Sequence, residues 1–288
     1  MTGPVKAPQS LVALVTGGSR GVGAAVCVAL RERGHVAVAG VRSRPPGGGD
    51  AVTLDVTDDA AVDAAVAEVV YRHGRLDVVV NNAGVGVMGP VEAATTADLQ
   101  RQLDVNVVGP HRVTRAALPH LRAAGAGLVV MISSGAGRIA FPGRGLYSAS
   151  KWALEGLAET LRMELAPSAV DCCLVQLGPV DTDFSAQAGW DVGDTARAGE
   201  YAWLAEIADA DRRRRFEAAD RPAMAPGTVA SAIVDLIETP RRRRPTRTVV
   251  HPSPDALRAD AAAHAALQRA VLTPRGFAAL LPDGDART

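Results

Sequence analysis

Short runs of continuously apolar residues alternate with longer amphipathic stretches, and this alternation constrains the fold more than any other feature of the sequence. Seven apolar runs predict strands, namely Leu11–Thr16, His35–Val41, Ala51–Val56, Leu76–Asn81, Gly127–Ser133, Val170–Leu177 and Arg247–His251. Helical spacing predicts the helices Gly21–Arg33, Asp58–His73, Thr96–Arg122, Leu146–Ala166 and Gly227–Glu238. Apolar strands that alternate with helices are typical of a parallel sheet covered on both faces. We therefore predict an α/β fold, a doubly wound seven-stranded parallel sheet with helices on both faces.

Residues 1–288 are predicted to form a single domain of this kind, with one insertion and a tail. The insertion spans about 184–226, lies between the sixth strand and the last predicted helix, and is expected to carry a substrate loop. The tail spans 252–288 and follows the seventh strand. Within the longest helix, Pro110 is expected near a kink or a break.

The composition excludes several classes of function. The 31 basic and 31 acidic residues give a formal net charge of zero, which argues against a nucleic-acid binder and a basic membrane-surface protein. No apolar run approaches the roughly 18–20 residues of a membrane-spanning helix, and the first ten residues hold no apolar segment typical of a secretory signal. Three cysteines and six scattered histidines form neither a disulfide framework nor a metal site, so we expect a cytoplasmic protein without a metal.

A glycine-rich segment, TGGSRGVG, lies between the first predicted strand and the first predicted helix. Its glycines, Gly17, Gly21 and Gly23, permit a tight turn and a close approach of the backbone to a pyrophosphate. The following helix N-terminus offers free N–H groups and a positive dipole end to that anion. An ordinary glycine-rich turn is the alternative, but the position at the first strand–helix junction favours a dinucleotide site of the Rossmann type.

This segment and the motifs that follow it resemble the short-chain dehydrogenase/reductase family, closely over residues 11–183 and loosely over 227–251. The further motifs are LDVT with Asp55, NNAG at Asn81–Gly84, VNVVG with Asn106, MISSGAG with Ser134, YSASK with Tyr147 and Lys151, and GPVDT at Gly178–Thr182. Each motif alone is weak, but their order on the predicted elements is highly specific.

The resemblance implies a nicotinamide cofactor and assigns residues to two roles. The catalytic residues that it implies are Asn106, Ser134, Tyr147 and Lys151. The cofactor-binding residues are Gly17, Ser19, Arg20, Gly21, Val22, Gly23, Arg42, Asp55, Val56, Asn82, Ala83, Gly84, Tyr147, Lys151, Val180 and Thr182. Members of the family usually form dimers or tetramers, so a homodimer or homotetramer is expected.

Tyr147 and Lys151 are four residues apart, so both side chains are predicted to project from one helix face. A nearby ammonium favours the phenolate and is expected to lower the pKa of Tyr147, which could then exchange a proton with a ketone or alcohol oxygen. Lys6 and Lys151 are the only lysines among the 31 basic residues, which suggests a role for Lys151 that arginine cannot fill.

Ser134 and its neighbour Ser133 compete for the role of orienting the substrate oxygen. Family spacing favours Ser134, and strand alternation sends the two side chains to opposite faces. Asn106 is read either as a tolerated polar residue within a helix or as a water-bound amide in a proton relay behind Lys151.

The choice of cofactor depends on the end of the second strand. An acidic residue there would bind the ribose 2′-hydroxyl and select NAD, but the position holds Val41 and is followed by Arg42. Arg20 and Arg42 could hold a 2′-phosphate between them, although both could instead be solvated surface charges. We predict NADP(H).

The predicted function is an NADPH-dependent ketoreductase or alcohol dehydrogenase that acts on a small-molecule carbonyl or secondary alcohol. GPVDTDF resembles the 17β-hydroxysteroid and retinol dehydrogenase branch, which hints at a bulky apolar or secondary-metabolite substrate. The alternatives are a non-redox enzyme of the same fold (a cyclase, epimerase or dehydratase) and a nucleotide-binding scaffold protein. The basic run Arg212–Arg215 is predicted to be a solvated helix face, with a dock for an acidic carrier protein as the alternative.

Overall fold

A computed structural model describes residues 10–43, 49–186, 189–217 and 223–281. All strands are parallel and form one seven-stranded sheet in the order β3-β2-β1-β4-β5-β6-β7. They are β1 (Val12–Thr16), β2 (Val36–Val41), β3 (Ala51–Thr53), β4 (Val78–Asn81), β5 (Leu128–Ser134), β6 (Asp171–Leu177) and β7 (Arg247–Val250). The predicted doubly wound parallel sheet is therefore confirmed.

Helices cover both faces of the sheet. They are α1 (Gly21–Glu32), α2 (Asp59–His73), α3 (Thr96–Leu103), α4 (Gly109–Ala123), α5 (Gly145–Leu165), α6 (Asp183–Ala186), α7 (Thr195–Gly199), α8 (Ala202–Glu217), α9 (Pro226–Glu238) and α10 (Asp255–Leu272). Side chains alternate along each strand, so that Leu14 packs in one core with α2, α4 and α5, whereas Val15 packs in the other with α1 and α9.

The strand order reverses between β1 and β4. From β1 the chain proceeds outward through β2 and β3, then returns to place β4 on the other side of β1 and proceeds toward β7. Ligands of such sheets bind at the carboxyl ends of the strands beside this reversal. The loops that follow Thr16 and Asn81 therefore flank the expected site.

The long helix predicted over Thr96–Arg122 is confirmed, since residues 96–123 are helical without a break. The hydrogen-bonding pattern changes in its middle: α3 ends at Leu103, a π-helical turn spans Asp104–Val108, and α4 begins at Gly109. Pro110 follows this turn directly, so the irregularity expected near Pro110 is a π-helical turn.

The third strand is shorter than predicted. It ends at Thr53 instead of Val56, because the side chain of Asp55 accepts hydrogen bonds from the backbone N and the hydroxyl of Thr57 and turns the chain. That turn keeps Asp55 beside the carboxyl end of the sheet.

The predicted insertion and tail contain helices. Within 184–226, residues 189–217 carry α7 and α8, while 187–188 and 218–222 lie outside the described residues. Within 252–288, α10 packs on the body of the protein through the buried Leu257, and 282–288 lie outside the described residues. Across the described ranges, no helix combines the length and apolarity that a membrane crossing requires.

Candidate active site

A cleft of about 1080 Å³ opens at the carboxyl ends of the strands. Every residue that the sequence assigned to cofactor or catalysis lines it, except two. These two, Gly23 and Asn106, lie behind the wall and hold other lining residues in place, as described below.

The glycine-rich loop joins β1 to α1 and forms one end of the cleft. Gly17 and Gly21 have φ angles of 65° and 54°, in the left-handed region that favours glycine. A Cβ on Gly23 would lie 2.3 Å from the carbonyl oxygen of Gly17, so only glycine lets the loop fold against the helix. Arg20 occupies the N-cap without a side-chain hydrogen bond to the helix, which leaves the first N–H groups of α1 free for an anion.

Thr16 was not predicted as a site residue from the sequence, yet its hydroxyl joins the glycine-rich loop to the loop that follows β4. The backbone N–H groups of Asn82 and Ala83 donate to Thr16 Oγ1 at 3.0 and 2.9 Å. The Asn82 amide donates in return to the carbonyl oxygen of Thr16 at 2.9 Å. The position of Thr16, directly before the first glycine of the loop, was the available signal.

Asp55 lies at the cleft as an ionised acceptor. Hydrogen bonds from the backbone and the hydroxyl of Thr57 lower the pKa of this carboxyl, and the positive charge of Arg42 lowers it further. Arg20 and Arg42 both line the rim and are exposed to solvent. Arg20 lies 4.0 Å from Asp183 across the cleft mouth. Two exposed guanidinium groups at one rim can receive a phosphate from solvent.

Ser134 and Tyr147 meet on the opposite wall, at the end of β5 and in the first turn of α5. The hydroxyl of Ser134 lies close enough to the phenol to lower its pKa, whereas the hydroxyl of Ser133 donates to Glu155 at 2.7 Å on the other face of the strand. The structure therefore places Ser134, and not Ser133, beside the phenol.

The pKa of Tyr147 is raised, so the expected lowering of this pKa by Lys151 is wrong. Loss of solvation raises the pKa of the phenol, and the hydrogen bond with Ser134 and the charge of Arg144 offset only part of that effect. The phenol is therefore protonated at neutral pH, which is the form that donates a proton.

Lys151 lies beside Tyr147, but its hydrogen bond is to another residue. The residue is 6% exposed, and its ammonium donates to the carbonyl oxygen of Ile132 at 2.8 Å and lies 5.8 Å from the centroid of the Tyr147 ring. Burial lowers the pKa of Lys151 to about 8, and the negative charge of Glu155 opposes that shift.

Asn106 lies in the π-helical turn and is fully hydrogen bonded. Its Oδ1 accepts from the backbone N of Val85 at 2.9 Å, while its Nδ2 donates to Val85 O at 2.9 Å and to Ser150 Oγ at 3.1 Å. The Ser150 hydroxyl donates to the carbonyl oxygen of Tyr147 at 2.7 Å. Asn106 thus fixes the loop after β4 and the first turn of α5, and the structure shows no direct bond from it to Lys151.

Val180 and Thr182 lie on the segment that follows β6. Val180 forms an isolated parallel bridge with Met224, which holds the segment over the cleft. The methyl group of Thr182 lies 3.3 Å from the position that a Cβ on Gly21 would occupy. The segment and the phosphate loop therefore close around the same space.

Lys151 is backed by a buried polar cluster that the sequence did not reveal. Glu155, one helical turn further along α5, accepts from Ser133, from Gln176 at 2.7 Å and from Arg247 at 2.8 Å. Arg247 also donates to Glu159 at 2.6 Å. The cluster ties α5 to β5, β6 and β7, and so holds the helix that carries Tyr147 and Lys151.

The far end of the cleft is lined by apolar and charged side chains of both the insertion and the tail. Phe184 lies against Tyr147, with ring centroids 5.8 Å apart. The prediction that Arg212–Arg215 is a solvated face is wrong for half of the run, because Arg212 and Arg215 line the cleft. Further apolar lining residues here are Met88, Ile139, Phe141, Trp190 and Leu257.

Comparison with known proteins agrees with the family resemblance of the sequence motifs. The family model described as short chain dehydrogenase matches residues 11–192. The chain is similar to a protein named 3-ketodihydrosphingosine reductase from Bacteroides thetaiotaomicron, at 34% identity over 250 residues, which cover 85% of this chain and 89% of that protein.

Two further proteins bear on the branch and the cofactor. The human protein named 17-beta-hydroxysteroid dehydrogenase type 1 is 44% identical over 140 residues, which cover 49% of this chain and 42% of that protein. The solved structure of an alcohol dehydrogenase from the archaeon Thermococcus sibiricus, complexed with 5-hydroxy-NADP, superposes with a TM-score of 0.68 at 26% identity. That alignment covers 85% of this chain and 97% of the archaeal one.

Proposed function

Because the chain belongs to the short-chain dehydrogenase family, we propose that it is an NADPH-dependent reductase that converts a small-molecule ketone to a secondary alcohol. The observation that carries the proposal is the meeting of Ser134, Tyr147 and Lys151 on one wall of a cleft whose other end is a free helix N-terminus behind a glycine-rich loop. A nicotinamide cofactor fits this arrangement, because the loop has no room for a side chain at Gly23 and leaves backbone N–H groups for the phosphates.

Ser134, Tyr147 and Lys151 each have a separate role in the proposed proton transfer. When bound, the cofactor supplies the hydride for the carbonyl carbon. The Ser134 hydroxyl can donate a hydrogen bond to the carbonyl oxygen and orient it toward Tyr147. The neutral phenol then donates its proton as negative charge develops on that oxygen. The Lys151 ammonium offers its remaining N–H donors to the nicotinamide ribose and stabilises the phenolate that is left.

Preference for NADPH follows from the rim of the cleft. Arg20 and Arg42 lie where a 2′-phosphate would enter, and no acidic residue stands at the end of β2 to accept a ribose hydroxyl. Two guanidinium groups bind phosphate oxygens with charge-assisted hydrogen bonds.

The proposed function is tested by following the absorbance of reduced nicotinamide in the presence of purified protein and a panel of apolar ketones. We expect oxidation of NADPH that depends on the ketone and yields the alcohol in equal amount. NADPH binding without any turnover across the panel, or product formation without consumption of the cofactor, would contradict the proposal.

Replacing Arg42 by Asp should narrow or invert the preference between the two cofactors. The change removes a phosphate partner and adds a repulsive charge, so affinity for NADPH should fall by roughly 10–100-fold. Affinity for NADH should hold or rise, because a carboxylate can accept a ribose hydroxyl. Fluorescence titration of both cofactors measures the ratio, with Arg122→Asp, an exposed site outside the cleft, as the matched control. Equal affinities in the wild type would contradict the assignment of Arg20 and Arg42.

Replacing Gly23 by Ala should weaken binding of either cofactor by at least about tenfold. The new methyl group would lie 2.3 Å from Gly17 O and 2.6 Å from the Asn82 amide nitrogen, so the loop must move, at a cost of about 1–3 kcal/mol. Gly156→Ala on α5 is the control, because nothing lies within 4 Å of its added Cβ, and it should stabilise the helix by about 0.5–1 kcal/mol. Normal cofactor binding by the Gly23 variant would show that the loop does not need this close approach.

A further inference from the structure

Among the described residues, the positive charge of Arg144 and Arg215 in the cleft is neutralised only in part, and from this we infer that the substrate carries an anionic group, a carboxylate or a phosphate, bound by these two arginines. The inference rests on the proposed function, since it extends the ketone-binding site from Tyr147 to the neighbouring Arg144 and to Arg215 in the same cleft.

Arg144 lies close to the reacting position. It is the N-cap residue of α5, three residues before Tyr147, and its guanidinium lies 5.7 Å from the centroid of the Phe141 ring inside the cleft. Its positive charge acts on the Tyr147 phenol, as the pKa of that phenol reports. A group held by Arg144 therefore belongs to the molecule whose carbonyl faces Tyr147.

The hydrogen-bonding capacity of the two arginines is largely unused. Arg144 reaches only Asp211 among the described residues, at 3.5 Å, which is the outer limit of a hydrogen bond. Arg215 Nε lies 2.9 Å from the same carboxylate oxygen but is buried without an aligned hydrogen bond. One carboxylate thus serves two guanidinium groups, each of which has five N–H donors.

Positive charges outnumber negative ones among the described residues that line this part of the cleft. Three arginines, Arg144, Arg212 and Arg215, line it beside two aspartates, Asp209 and Asp211. Asp209 is already shared between Arg212 and the exposed Arg213. Burial lowers the pKa of Arg144, and the positive charge of Arg215 lowers it further, so the guanidinium is held where its charged form is disfavoured. A bound anion would remove that penalty.

The walls between Tyr147 and the two arginines indicate the rest of the substrate. Ile139, Phe141, Phe184 and Trp190 line this part of the cleft. An apolar body between a ketone and an anionic end fits these contacts, because Phe184 lies 5.8 Å from Tyr147 and Phe141 lies 5.7 Å from the Arg144 guanidinium. The alternative is that Arg144 and Arg215 only fasten α8 to the body of the protein through Asp211, in which case added anions gain nothing.

The test uses methyl ketones of graded chain length that end in a carboxylate, in the matching methyl ester, in a phosphate monoester or in a primary amine. Equilibrium binding to the protein saturated with NADP⁺, which cannot reduce the ketone, is measured by calorimetry, and kcat/KM for each probe is measured with NADPH alongside. We expect the wild type to favour the carboxylate or the phosphate over the ester by roughly tenfold to hundredfold in both measurements, and the amine to be worst. The better of the two anions identifies the class.

The substitutions Arg144→Gln and Arg215→Gln should each reduce the preference for the acid over the ester, so that the ratio of their affinities and the ratio of their kcat/KM values approach one. The ratio is informative because any effect of Arg144 on the Tyr147 phenol changes both probes alike. Arg214→Gln is the matched control, since Arg214 lies on the same helix, is exposed and does not line the cleft, and its ratio should equal that of the wild type.

A wild-type ratio near one, or a ratio that neither variant lowers, would overturn the inference while leaving the reductase function intact. Failure to reduce any probe would count against the function instead, and the binding ratio would still decide the inference. A preference for the amine would also overturn it.

Discussion

Replacing Tyr147 by Phe is expected to lower turnover by about 10²–10⁴-fold, with a much smaller effect on cofactor affinity. The substitution keeps the ring, whose centroid lies 5.8 Å from that of Phe184, and removes only the hydroxyl beside Ser134. Since the raised pKa keeps that phenol protonated at neutral pH, the loss is that of the proton donor and not of a binding group.

Steady-state kinetics with NADPH and the best ketone of the panel measure this loss. Tyr201→Phe is the control, because Tyr201 donates its hydroxyl to Glu92 at 2.6 Å and lies outside the cleft. It should turn over like the wild type. Turnover of the Tyr147 variant within a few-fold of the wild type would remove this residue from the mechanism.

Replacing Lys151 by Met is expected to abolish most activity and yet to stabilise the ligand-free protein at neutral pH. Lys151 is 6% exposed, and burial lowers the pKa of its ammonium from 10.5 to about 8. At pH 7 the folded protein must therefore hold a poorly solvated charge that a thioether side chain would not carry. The active protein retains that charge because the proposed chemistry requires it.

The sign of the pH dependence follows from the lowered pKa. Between the folded value of about 8 and the unfolded value of 10.5, the unfolded chain binds a proton that the folded protein does not. The free energy of unfolding of the wild type therefore rises with pH across this window, by about 3 kcal/mol from this group. The Met variant lacks that rise, so its advantage at pH 7 should shrink by the same amount near the upper end of the window.

Urea unfolding of the wild type and of the Lys151→Met variant at several pH values measures the difference between their free energies of unfolding. Lys151→Arg is the matched variant that keeps the charge, and it should be neither active nor stabilised, because a forked guanidinium is larger than the ammonium it replaces. A stability difference between wild type and Met variant that does not change with pH would show that Lys151 is not buried as a charged group.

The strand pattern was readable from the sequence because strands buried on both faces are apolar over most of their length. In β1 and β5, neighbouring apolar residues face different cores, and polar residues appear only at the carboxyl ends, at Thr16, Ser133 and Ser134. The same reasoning could not find the π-helical turn at Asp104–Val108. Five residues are too few to show a change of period, and what sets Asn106 apart is its bonds to Val85 and Ser150, which are distant in sequence.

Sequence motifs identified the site residues, but they did not predict the pKa shifts of these residues. The spacing of Tyr147 and Lys151 places them on one helix face, but only packing shows that burial, and not the ammonium, dominates the pKa of the phenol. The run Arg212–Arg215 seemed a solvated face because four adjacent charges rarely enter a core. Residues three apart share a helix face, however, so Arg212 and Arg215 line the cleft together.

The most direct test of the account uses NADPH that is deuterated at the position of the nicotinamide from which hydride is transferred. The deuterium is followed while this cofactor reacts with a ketone that the protein reduces. The account predicts one deuterium on the carbinol carbon of the product for each cofactor oxidised, with none in the solvent, and loss of this transfer in the Tyr147→Phe variant. Product that forms with the label still on the cofactor, as in a cyclase, epimerase or dehydratase without net redox chemistry, would contradict it.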